Sequence, residues 1–511
     1  MIVVKIGANV TKALLVISQE QNTRNSMIIK NHPQLQKYIS LSIGILGWFM
    51  GGIVFGFNAY AIALKKTFNY TQTELEYIAS SGDLGMCLSF PPGMLFDTFG
   101  PRVTNIASFI LTTMGFALMW LATEYRIFFS SNNWLLCIIY FLASEGTMFI
   151  IIATSVVNCE NFDRKHRGKV LGLLNIIYGV SPAIFSALYE ALYIQGHIED
   201  PENQKLGEFM ITLAVLSACI NLYAVVMLET VQKETDKPGD VELSRLCRTN
   251  QNGEQANYGT EYELNKFPLE TKEEINDRTT LVQKKTTKQL DMKSWEIIQT
   301  PEFYFIWLTC LLIGGAGGTC TNNITTVVKS AKFDTKTTLF TVIIPISALL
   351  TRFLGGAIPD YVFQKWPDIP KSSILLFPCI ISCIGQLCFT FFNQSYIGLI
   401  LSSVLMSLAY GSFYPQINIL TIEYFGLKYF GQNSGLIVMG HGIGIVVFQK
   451  LFALNYETHS PTESSDCYGE MCTKWYFLLM AILCSCAIFI TLCLMKIEKD
   501  ERLQHEATMN A

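Results

Sequence analysis

The sequence predicts an all-α integral membrane protein, with twelve transmembrane helices arranged as two pseudo-symmetric six-helix bundles. Of the 511 residues, 50% are hydrophobic and only 15% are charged, whereas soluble domains carry about 25% charged residues. The apolar residues lie in blocks of about 20, the length that crosses about 30 Å of hydrocarbon. Glycines and a few polar residues also recur at one fixed separation in the two halves of the chain.

Twelve apolar blocks are long enough to span a bilayer, and we number them spans one to twelve. They lie at 41–64, 75–97, 103–123, 134–157, 168–192, 207–228, 303–328, 338–361, 372–393, 396–421, 431–454 and 475–496. The polar residues between the halves indicate a flexible linker with a short helix near 292–299. The expected domains are a tail (1–37), a first bundle (38–228), a linker (229–300), a second bundle (301–496) and a second tail (497–511).

Three separated regions of the chain repeat at nearly one offset. Repeats in parallel order indicate that one ancestral bundle was copied. At 263 residues, Gly93, Asp97, Gly168, Gly172, Gly179 and Phe185 correspond to Gly356, Asp360, Gly431, Gly435, Gly442 and Phe448, and at 262 Gly52 and Gly56 correspond to Gly314 and Gly318.

The end of span two carries the pattern Gly-x3-Asp-x2-Gly-x-Arg. Gly93 allows another helix to approach closely, and Asp97 can pair or cap at a helix end. Gly100 turns the chain, and Arg102 fixes a positive charge on that side of the membrane. With the shorter copy at the end of span eight, we expect a cytoplasmic gate formed by Gly93, Asp97, Gly100, Arg102, Gly356 and Asp360.

The charges of the loops predict the orientation. Arg164, Lys165 and Arg167 lie between spans four and five, and Lys169 lies at the start of span five. This charge predicts that the loop, both termini and the linker are cytoplasmic. The loop at 456–474 then faces outside or into a lumen, where Cys467 and Cys472 are expected to form a disulfide. Two free thiols are the alternative. The plasma membrane and an endomembrane or vacuolar membrane both fit.

Composition and motifs argue against several functions. The net charge of −4 gives no indication of nucleic-acid binding. No Walker loop, zinc-type Cys/His spacing or GxSxG motif occurs, so we expect neither an enzyme nor an ATP-driven pump, and no cofactor or metal. The expected partners of a monomeric chain are the lipid bilayer, a small-molecule substrate and, if transport is coupled, a proton.

Several motifs resemble a known family. They lie at 69–76, 83–85, 97–102, 423–426, 430–433 and 467–472. With two halves of six spans, they resemble the major facilitator superfamily over nearly the whole chain except the tail and linker. The closer resemblance is to its nodulin-like branch, which is similar to monocarboxylate and oxalate–formate transporters. The resemblance implies secondary active transport by alternating access, in which the halves rock about a site near mid-membrane.

Arg352 is the strongest candidate for binding a substrate. It precedes Asp360 by eight residues and so lies about 12 Å into the membrane. A guanidinium there can hold a carboxylate, and the carriers that this chain resembles use an arginine in the same span for an anionic substrate. The monocarboxylate carriers have an acidic residue one turn earlier, where this chain has Ala348. A structural arginine bonded to a backbone carbonyl or to an acid of another helix is the alternative.

Three more polar residues lie deep in spans. Glu145, in the middle of span four, is a candidate partner of Arg352 or proton site, and a structural ion pair is the alternative. His441 and Tyr178 are equivalent under the 263-residue offset, so we expect them to face one another across a central cavity. The oxalate carrier has a lysine in span eleven, for which His441 is a pH-dependent substitute. A histidine that is satisfied locally is the alternative.

Other candidates lie nearer the ends of spans. Asp83 is expected toward the outer end of span two as an outer gate or proton site, with a snorkelling acid as the alternative. Asn58 and Asn322 occupy the outer parts of spans one and seven. Tyr410 in span ten either lines the cavity, with Tyr414 and Gln416, or packs around the kink at Pro415.

These residues predict a transporter of a small organic anion of monocarboxylate type. Arg352, Glu145, His441, Tyr178, Asn58, Asn322 and Tyr410 are the expected substrate-binding residues, and Asp83, Glu145 and His441 are the expected proton-coupling residues. A carrier of amino acids, other zwitterions or metal ions is the first alternative. A sensor built on a transporter fold is the second.

Overall fold

A computed structural model of the chain describes residues 33–194, 205–231, 291–333, 336–460 and 467–510. Over these residues the chain is helical, without a β-strand. Eleven helical segments in the described part are long and apolar enough to cross a membrane. One of them, Tyr77–Glu124, has 48 residues and, if straight, would be about 70 Å long. That is more than twice the hydrocarbon thickness, so this segment accounts for spans two and three.

The break between spans two and three is at Gly100. Its backbone has φ of 79° and ψ of −175°, a conformation that favours glycine because a Cβ would clash there. Pro101 follows directly and has no N–H to donate into a continuous helix. The turn that the sequence pattern predicts therefore lies at Gly100, and the chain reverses there into span three.

The helices of both halves agree with the predicted spans, with differences at their ends. The first half contains helices Pro33–Gly51, Ala61–Phe68, Gln72–Cys87, Phe90–Glu124, Arg126–Ser130, Asn133–Asn161, Arg167–Tyr193 and Leu206–Met227, with 3-10 segments at Gly52–Ala59 and Arg164–His166. The second half contains helices Ser294–Ile297, Pro301–Thr309, Gly315–Ser330, Thr337–Lys365, Leu376–Phe392, Tyr396–Phe425, Phe430–Thr458 and Met471–Asn510, with a π segment at Cys310–Gly314 and a 3-10 segment at Lys371–Leu375.

Helices of the two halves start at equivalent positions. The helices of spans four and five begin at Asn133 and Arg167, and those of spans ten and eleven begin at Tyr396 and Phe430, each 263 residues later. The buried apolar residues form two clusters. One draws on residues 43–228 and three residues of the second half, and the other lies within residues 297–494.

The paired glycines of spans one and seven are packing positions. A Cβ added at Gly52 would lie 2.7 Å from the carbonyl oxygen of Tyr178, on span five. A Cβ added at Gly314 would lie 2.9 Å from Cδ2 of His441, on span eleven. Span one therefore packs closely on span five, and span seven packs closely on span eleven, as small residues allow. Gly52 lies against Tyr178, and Gly314 lies against His441.

Span twelve continues into the predicted C-terminal tail. Its helix reaches Asn510, beyond the predicted end at 496. Glu498 accepts hydrogen bonds from the backbone N–H of Lys371 at 2.8 Å and from the hydroxyl of Tyr424 at 2.8 Å. Arg502 donates to the carbonyl of Pro367 at 3.1 Å. These bonds hold the helix against the loop between spans eight and nine. Much of the expected tail at 1–37 and linker at 229–300 lies outside the described residues.

Candidate functional site

Two aspartates, one from each bundle, bind the start of a helix in the other bundle. Asp97 Oδ2 accepts a hydrogen bond from the backbone N–H of Gln432 at 3.0 Å. Asp360 accepts from the backbone N–H groups of Gly168 at 3.1 Å and Lys169 at 3.0 Å. A carboxylate at a helix start satisfies N–H groups that have no partner within the helix and interacts favourably with the helix dipole. These contacts lie on the side of the bundles where the linker is attached, which we call the linker side.

Glycine pairs allow the bundles to touch next to these aspartates. A methyl group added at Gly93 would overlap the backbone of Gly431, and one added at Gly356 would overlap the carbonyl of Gly168. The two pairs occupy equivalent positions in the repeat. Backbone-to-backbone contact of this kind requires residues without a side chain. The linker side is therefore closed by two contacts of matching geometry.

The same symmetry continues deeper into the membrane. A Cβ added at Gly172 would lie 2.9 Å from the carbonyl oxygen of Phe353 and 3.1 Å from that of Arg352. A Cβ added at Gly435 would lie 2.5 Å from the carbonyl oxygen of Ser89. Ser89 is the residue equivalent to Arg352 under the 263-residue offset. The guanidinium of Arg352 therefore breaks the symmetry, because the first bundle has a serine there.

The other two predicted gate residues have different roles. Arg102 forms an ion pair with Glu229, at the end of span six in the same bundle. This pair joins spans three and six, so it differs from the expected latch between the bundles. Apart from its own chain neighbours and helix backbone, no described atom lies within 4 Å of a Cβ added at Gly100. Its role in the structure is the turn, and not a contact with the second bundle.

A cluster of charges across the bundles was missed by the sequence analysis. Glu423, at the end of span ten, accepts a hydrogen bond from Nε of Arg164 at 2.9 Å and lies 2.6 Å from Nζ of Lys371. Arg164 belongs to the first bundle, so this ion pair also closes the linker side. The available signals were the basic loop around Arg164 and an acidic residue just beyond the predicted end of span ten. Nothing in their spacing identified them as partners.

Arg352 extends from span eight toward span five of the other bundle. Its Nη1 donates to the carbonyl of Asn175 at 3.2 Å, and a Cβ added at Gly179 would lie 2.8 Å from its Nε. Nε is buried and has no hydrogen-bond partner, and no carboxylate of the described residues lies within 4.0 Å of the guanidinium. Arg352 therefore bonds to a backbone carbonyl, which was the alternative to a substrate-binding role. This bond uses only one of the N–H donors of the guanidinium. The expected pairing with Glu145 is not found.

Three phenols lie near the guanidinium. Arg352 interacts electrostatically with Tyr178 of span five and with Tyr410 and Tyr414 of span ten. All three are partly buried. The region between the bundles thus combines one fixed positive charge with hydroxyl groups that donate or accept hydrogen bonds. This combination can hold a small ligand that carries a carboxylate.

His441 is satisfied within its own bundle. The hydroxyl of Tyr414 lies 2.8 Å from both imidazole nitrogens, and the hydroxyl of Tyr410 lies 3.3 Å from Nε2. The side chain is buried, and Gly314 and Gly318 of span seven pack against its ring. The alternative of a locally satisfied histidine is therefore found. The sequence analysis did not predict that Tyr414 is a hydrogen-bond partner of His441.

Tyr178 and His441 do not face one another directly. The hydroxyl of Tyr178 lies 3.4 Å from Sδ of Met86, and its ring packs edge-on against Trp48 and Phe55. The hydrogen-bond partners of His441 are the phenols of Tyr410 and Tyr414, and the glycines of span seven pack against its ring. All of these contacts lie in the second bundle. The described residues show no hydrogen bond between Tyr178 and His441, and that the two face one another across a central cavity stays a prediction.

Two acidic residues of the first bundle lie near this region. Glu145 is 5% exposed, and neither of its carboxylate oxygens has a hydrogen-bond partner among the described residues. Asp83 and Glu145 both interact electrostatically with Cys87. Asp83 also interacts with Tyr178 and with Tyr410 of the other bundle. Asp83 of the first bundle and Arg352 of the second bundle thus lie near the same two phenols, those of Tyr178 and Tyr410.

Two further candidates and the cysteine pair lie toward the opposite side. Asn322 is exposed in the outer part of span seven, and the side chain of Asn58 falls outside the described part of the structure. Cys467 and Cys472 form a disulfide. Its loop covers the outer ends of spans seven and eleven, because Gly469 donates to the carbonyl of Ser330 at 2.9 Å and Asn455 donates to that of Cys472 at 2.7 Å.

Comparison with known proteins finds similarity over most of the chain. The family model of the Major Facilitator Superfamily matches residues 41–449 and, in an overlapping match, 365–509. The probable transporter mch1 of Emericella nidulans is 20% identical over 519 aligned residues, which cover 88% of this chain and 83% of that protein. A shorter match is to the protein NUCLEAR FUSION DEFECTIVE 4 of Arabidopsis thaliana, 26% identical over 141 residues, 28% of this chain and 24% of that protein.

Solved structures share the fold. The chain superposes on a structure of the proton:xylose symporter XylE bound to 6-bromo-6-deoxy-D-glucose with a TM-score of 0.63 and 12% sequence identity. The match covers 90% of this chain and 96% of the symporter. At this identity the likeness concerns the arrangement of the helices and carries no information about the substrate.

Proposed function

Because this chain belongs to the Major Facilitator Superfamily and is a multi-pass secondary transporter of that type, we propose that its substrate is a small organic anion of monocarboxylate type. Transport proceeds by alternating access, in which the two bundles rock about a site between them. The structure with a closed linker side is then the state that receives substrate from the opposite side. The gate contacts at Asp97 and Asp360 hold this state.

The observation that carries the proposal is the guanidinium of Arg352. It lies between the bundles, one of its donors is bonded to a backbone carbonyl, and its buried Nε has no partner. A cation in a membrane protein that has a buried donor without a partner and no adjacent carboxylate is costly. A substrate carboxylate can accept two hydrogen bonds from a guanidinium and supply the missing charge. Occupation by an anion therefore stabilises the site.

The test is uptake of labelled monocarboxylates into proteoliposomes. Replacing Arg352→Gln removes the charge, and we expect uptake to fall at least about a hundredfold, since a charge-assisted bidentate contact contributes about 3 kcal/mol or more. The control is Arg126→Gln, because Arg126 is exposed at the opposite end of the bundle. Unchanged thermal unfolding shows that the fold is intact. Normal uptake by the Arg352 variant contradicts the proposal.

We propose further that transport is coupled to protons and that Glu145 carries the proton. An ionised carboxylate that is buried without partners is costly, and both oxygens of Glu145 lack partners. Glu145→Gln mimics the protonated acid, so it should remove the stimulation of uptake by an inward pH gradient while exchange of substrate without a gradient continues. Stimulation by the gradient at the wild-type level contradicts this role. The same comparison with Asp83→Asn and His441→Gln tests the other two candidates.

A zwitterion such as an amino acid is the second candidate. The observation in its favour is that Tyr178 and Tyr410 interact with both Arg352 and Asp83, so a carboxylate would have the guanidinium nearby and an ammonium group would have the Asp83 carboxyl group nearby. Uptake of amino acids that is lost in Asp83→Asn, with no uptake of monocarboxylates by the wild type, would favour this candidate. For metal ions no such observation exists, and the described residues contain no group of three possible ligands.

We propose that the linker side is cytoplasmic. The basic loop at Arg164 and Lys165 lies on this side, and the Cys467–Cys472 disulfide lies on the opposite side, where an oxidising compartment preserves it. Plasma and vacuolar membranes both provide this arrangement. A protease-sensitive tag inserted near residue 260 tests the orientation, because protease added to intact cells should leave it uncut and protease added after the plasma membrane is permeabilised should cleave it.

A further inference from the structure

We propose that residues 291–297, near the end of the linker, form a clasp that stabilises the closed linker side by binding the start of span eleven. The clasp joins the linker to span seven, and it contacts the loop between spans ten and eleven. The proposal rests on alternating access as proposed above. It requires no knowledge of the substrate.

The backbone of the clasp is bonded to this loop at several points. The N–H of Met292 donates to the carbonyl of Phe425 at 3.0 Å, and the carbonyl of Met292 accepts from the side chain of Asn433 at 2.9 Å. Asp291 accepts from the N–H of Lys428 at 3.2 Å. It also packs against Gly426, whose φ is 85°. These bonds fix the shape of the loop that precedes span eleven.

The side chain of Ser294 connects the clasp to the gate. Ser294 is 8% exposed, and its hydroxyl lies 3.1 Å from Oε1 of Gln432 and 3.1 Å from Oδ1 of Asn433. Gln432 is the residue whose backbone N–H binds Asp97 of the other bundle. One residue thus receives the clasp through its side chain and the gate aspartate through its backbone.

Because Gln432 contacts both the clasp and Asp97, the clasp can affect the gate contact. A hydrogen bond forms more readily when its donor is already held in place, because less conformational freedom is lost on binding. Holding Gln432 therefore favours the Asp97 contact and the closed linker side. The second gate contact, between Asp360 and the N–H groups of Gly168 and Lys169, involves no clasp residue. A change at this second contact in a clasp variant therefore reports movement of the two bundles relative to each other.

The clasp makes the linker a regulator of the gate. Its residues continue directly from the linker, so any partner or covalent modification that pulls them away from span eleven weakens the closed state. The orientation of the segment agrees with this role. Ile297 is fully buried on the bundle, whereas Trp295 is 73% exposed and faces away from it.

The test is amide hydrogen–deuterium exchange of the full-length protein in lipid nanodiscs, without substrate. Ser294→Ala and Asn433→Ala remove clasp contacts, and Trp295→Ala is the matched control in the same segment. If the clasp stabilises the closed state, exchange should rise about fivefold, the effect of losing one hydrogen bond, in two peptides. One covers 428–433, and the other covers 165–170 at the second gate contact. Ser294→Thr keeps the hydroxyl and should behave as the wild type.

The peptide at 165–170 decides between a local and a global effect. Faster exchange there in both clasp variants, but not in Trp295→Ala, supports the proposal because the rocking motion opens both contacts together. Unchanged exchange at 165–170 overturns it, whatever happens at 428–433, since the clasp would then only order its own loop. An equal rise in the Trp295 variant also overturns it. If Ser294→Ala does not fold, Asn433→Ala gives the same two readouts.

Discussion

At the scale of single residues, the site is defined by one departure from symmetry. The repeat gives Arg352 the serine Ser89 as its counterpart, and the neighbouring backbone contacts of both residues are alike. A symmetric scaffold presents equal surfaces to a ligand from both bundles, so we expect a distinct charge on one side to give an anionic substrate one orientation. The phenols of Tyr410 and Tyr414, which contact His441, lie near that charge.

The gate aspartates predict a separation of rate from affinity. Asp97→Asn keeps the shape of the side chain but removes the interaction of its charge with the start of span eleven, worth about 0.3–1 kcal/mol. We expect the transport rate to fall about two- to fivefold while substrate affinity stays within about twofold, because Asp97 lies away from Arg352. Initial-rate uptake and equilibrium binding measure the two quantities.

The control for this prediction is Asp163→Asn, an exposed aspartate on the same side of the membrane. It should leave both quantities unchanged. Equal losses of rate and affinity in Asp97→Asn would count against a role in the gate. Asp360→Asn should reproduce the Asp97 result, because the two contacts are equivalent.

At the scale of elements, closure depends on helices that touch through glycine. Span eight meets span five at Gly356 and Gly168, and span two meets span eleven at Gly93 and Gly431. These contacts lie between the bundles and not inside one. A side chain added there should therefore act on the equilibrium between the two transport states more than on the folding of either bundle.

Gly356→Ala tests this distinction. The added methyl group overlaps the carbonyl of Gly168, and overpacking of this kind costs about 1–3 kcal/mol. We expect uptake to fall about tenfold or more. We also expect a thiol reagent added from the linker side to label cysteines between the bundles more strongly. The control is Gly56→Ala, whose added Cβ would lie 3.5 Å or more from its neighbours within one bundle. A variant that unfolds without a change in the balance of states would refute the assignment.

At the scale of the whole molecule, much of the architecture was predictable from the repeat. The superfamily, the twelve spans and the two bundles were confirmed, because length and hydrophobicity are imposed by the bilayer at every crossing. The 26%-identical plant match supports the nodulin-like branch over 28% of the chain. The shared offset indicated contacts between the bundles at Gly93, Gly356, Asp97 and Asp360. Two equivalent contacts have the same geometry, so they require the same residue types at equivalent positions.

Other contacts were beyond the reach of sequence patterns. Glu423 and Arg164 are 259 residues apart. Glu423 corresponds to Glu160 at the 263-residue offset, but Arg164 corresponds to Leu427, so the repeat does not contain a second copy of the pair that could have predicted it. The partner of His441 depends on the rotamers of two tyrosines, which apolar periodicity does not encode. The extension of span twelve depends on bonds from Glu498 to a distant loop. Such side-chain contacts are set by packing in three dimensions.

The most direct measurement is an experimental structure of the protein with a transported monocarboxylate bound. The account predicts that the ligand carboxylate lies within hydrogen-bonding distance of the Arg352 guanidinium, between the two bundles and bordered by the phenols of spans five and ten. A ligand bound elsewhere, or an Arg352 side chain that points toward the lipid in that structure, would contradict it.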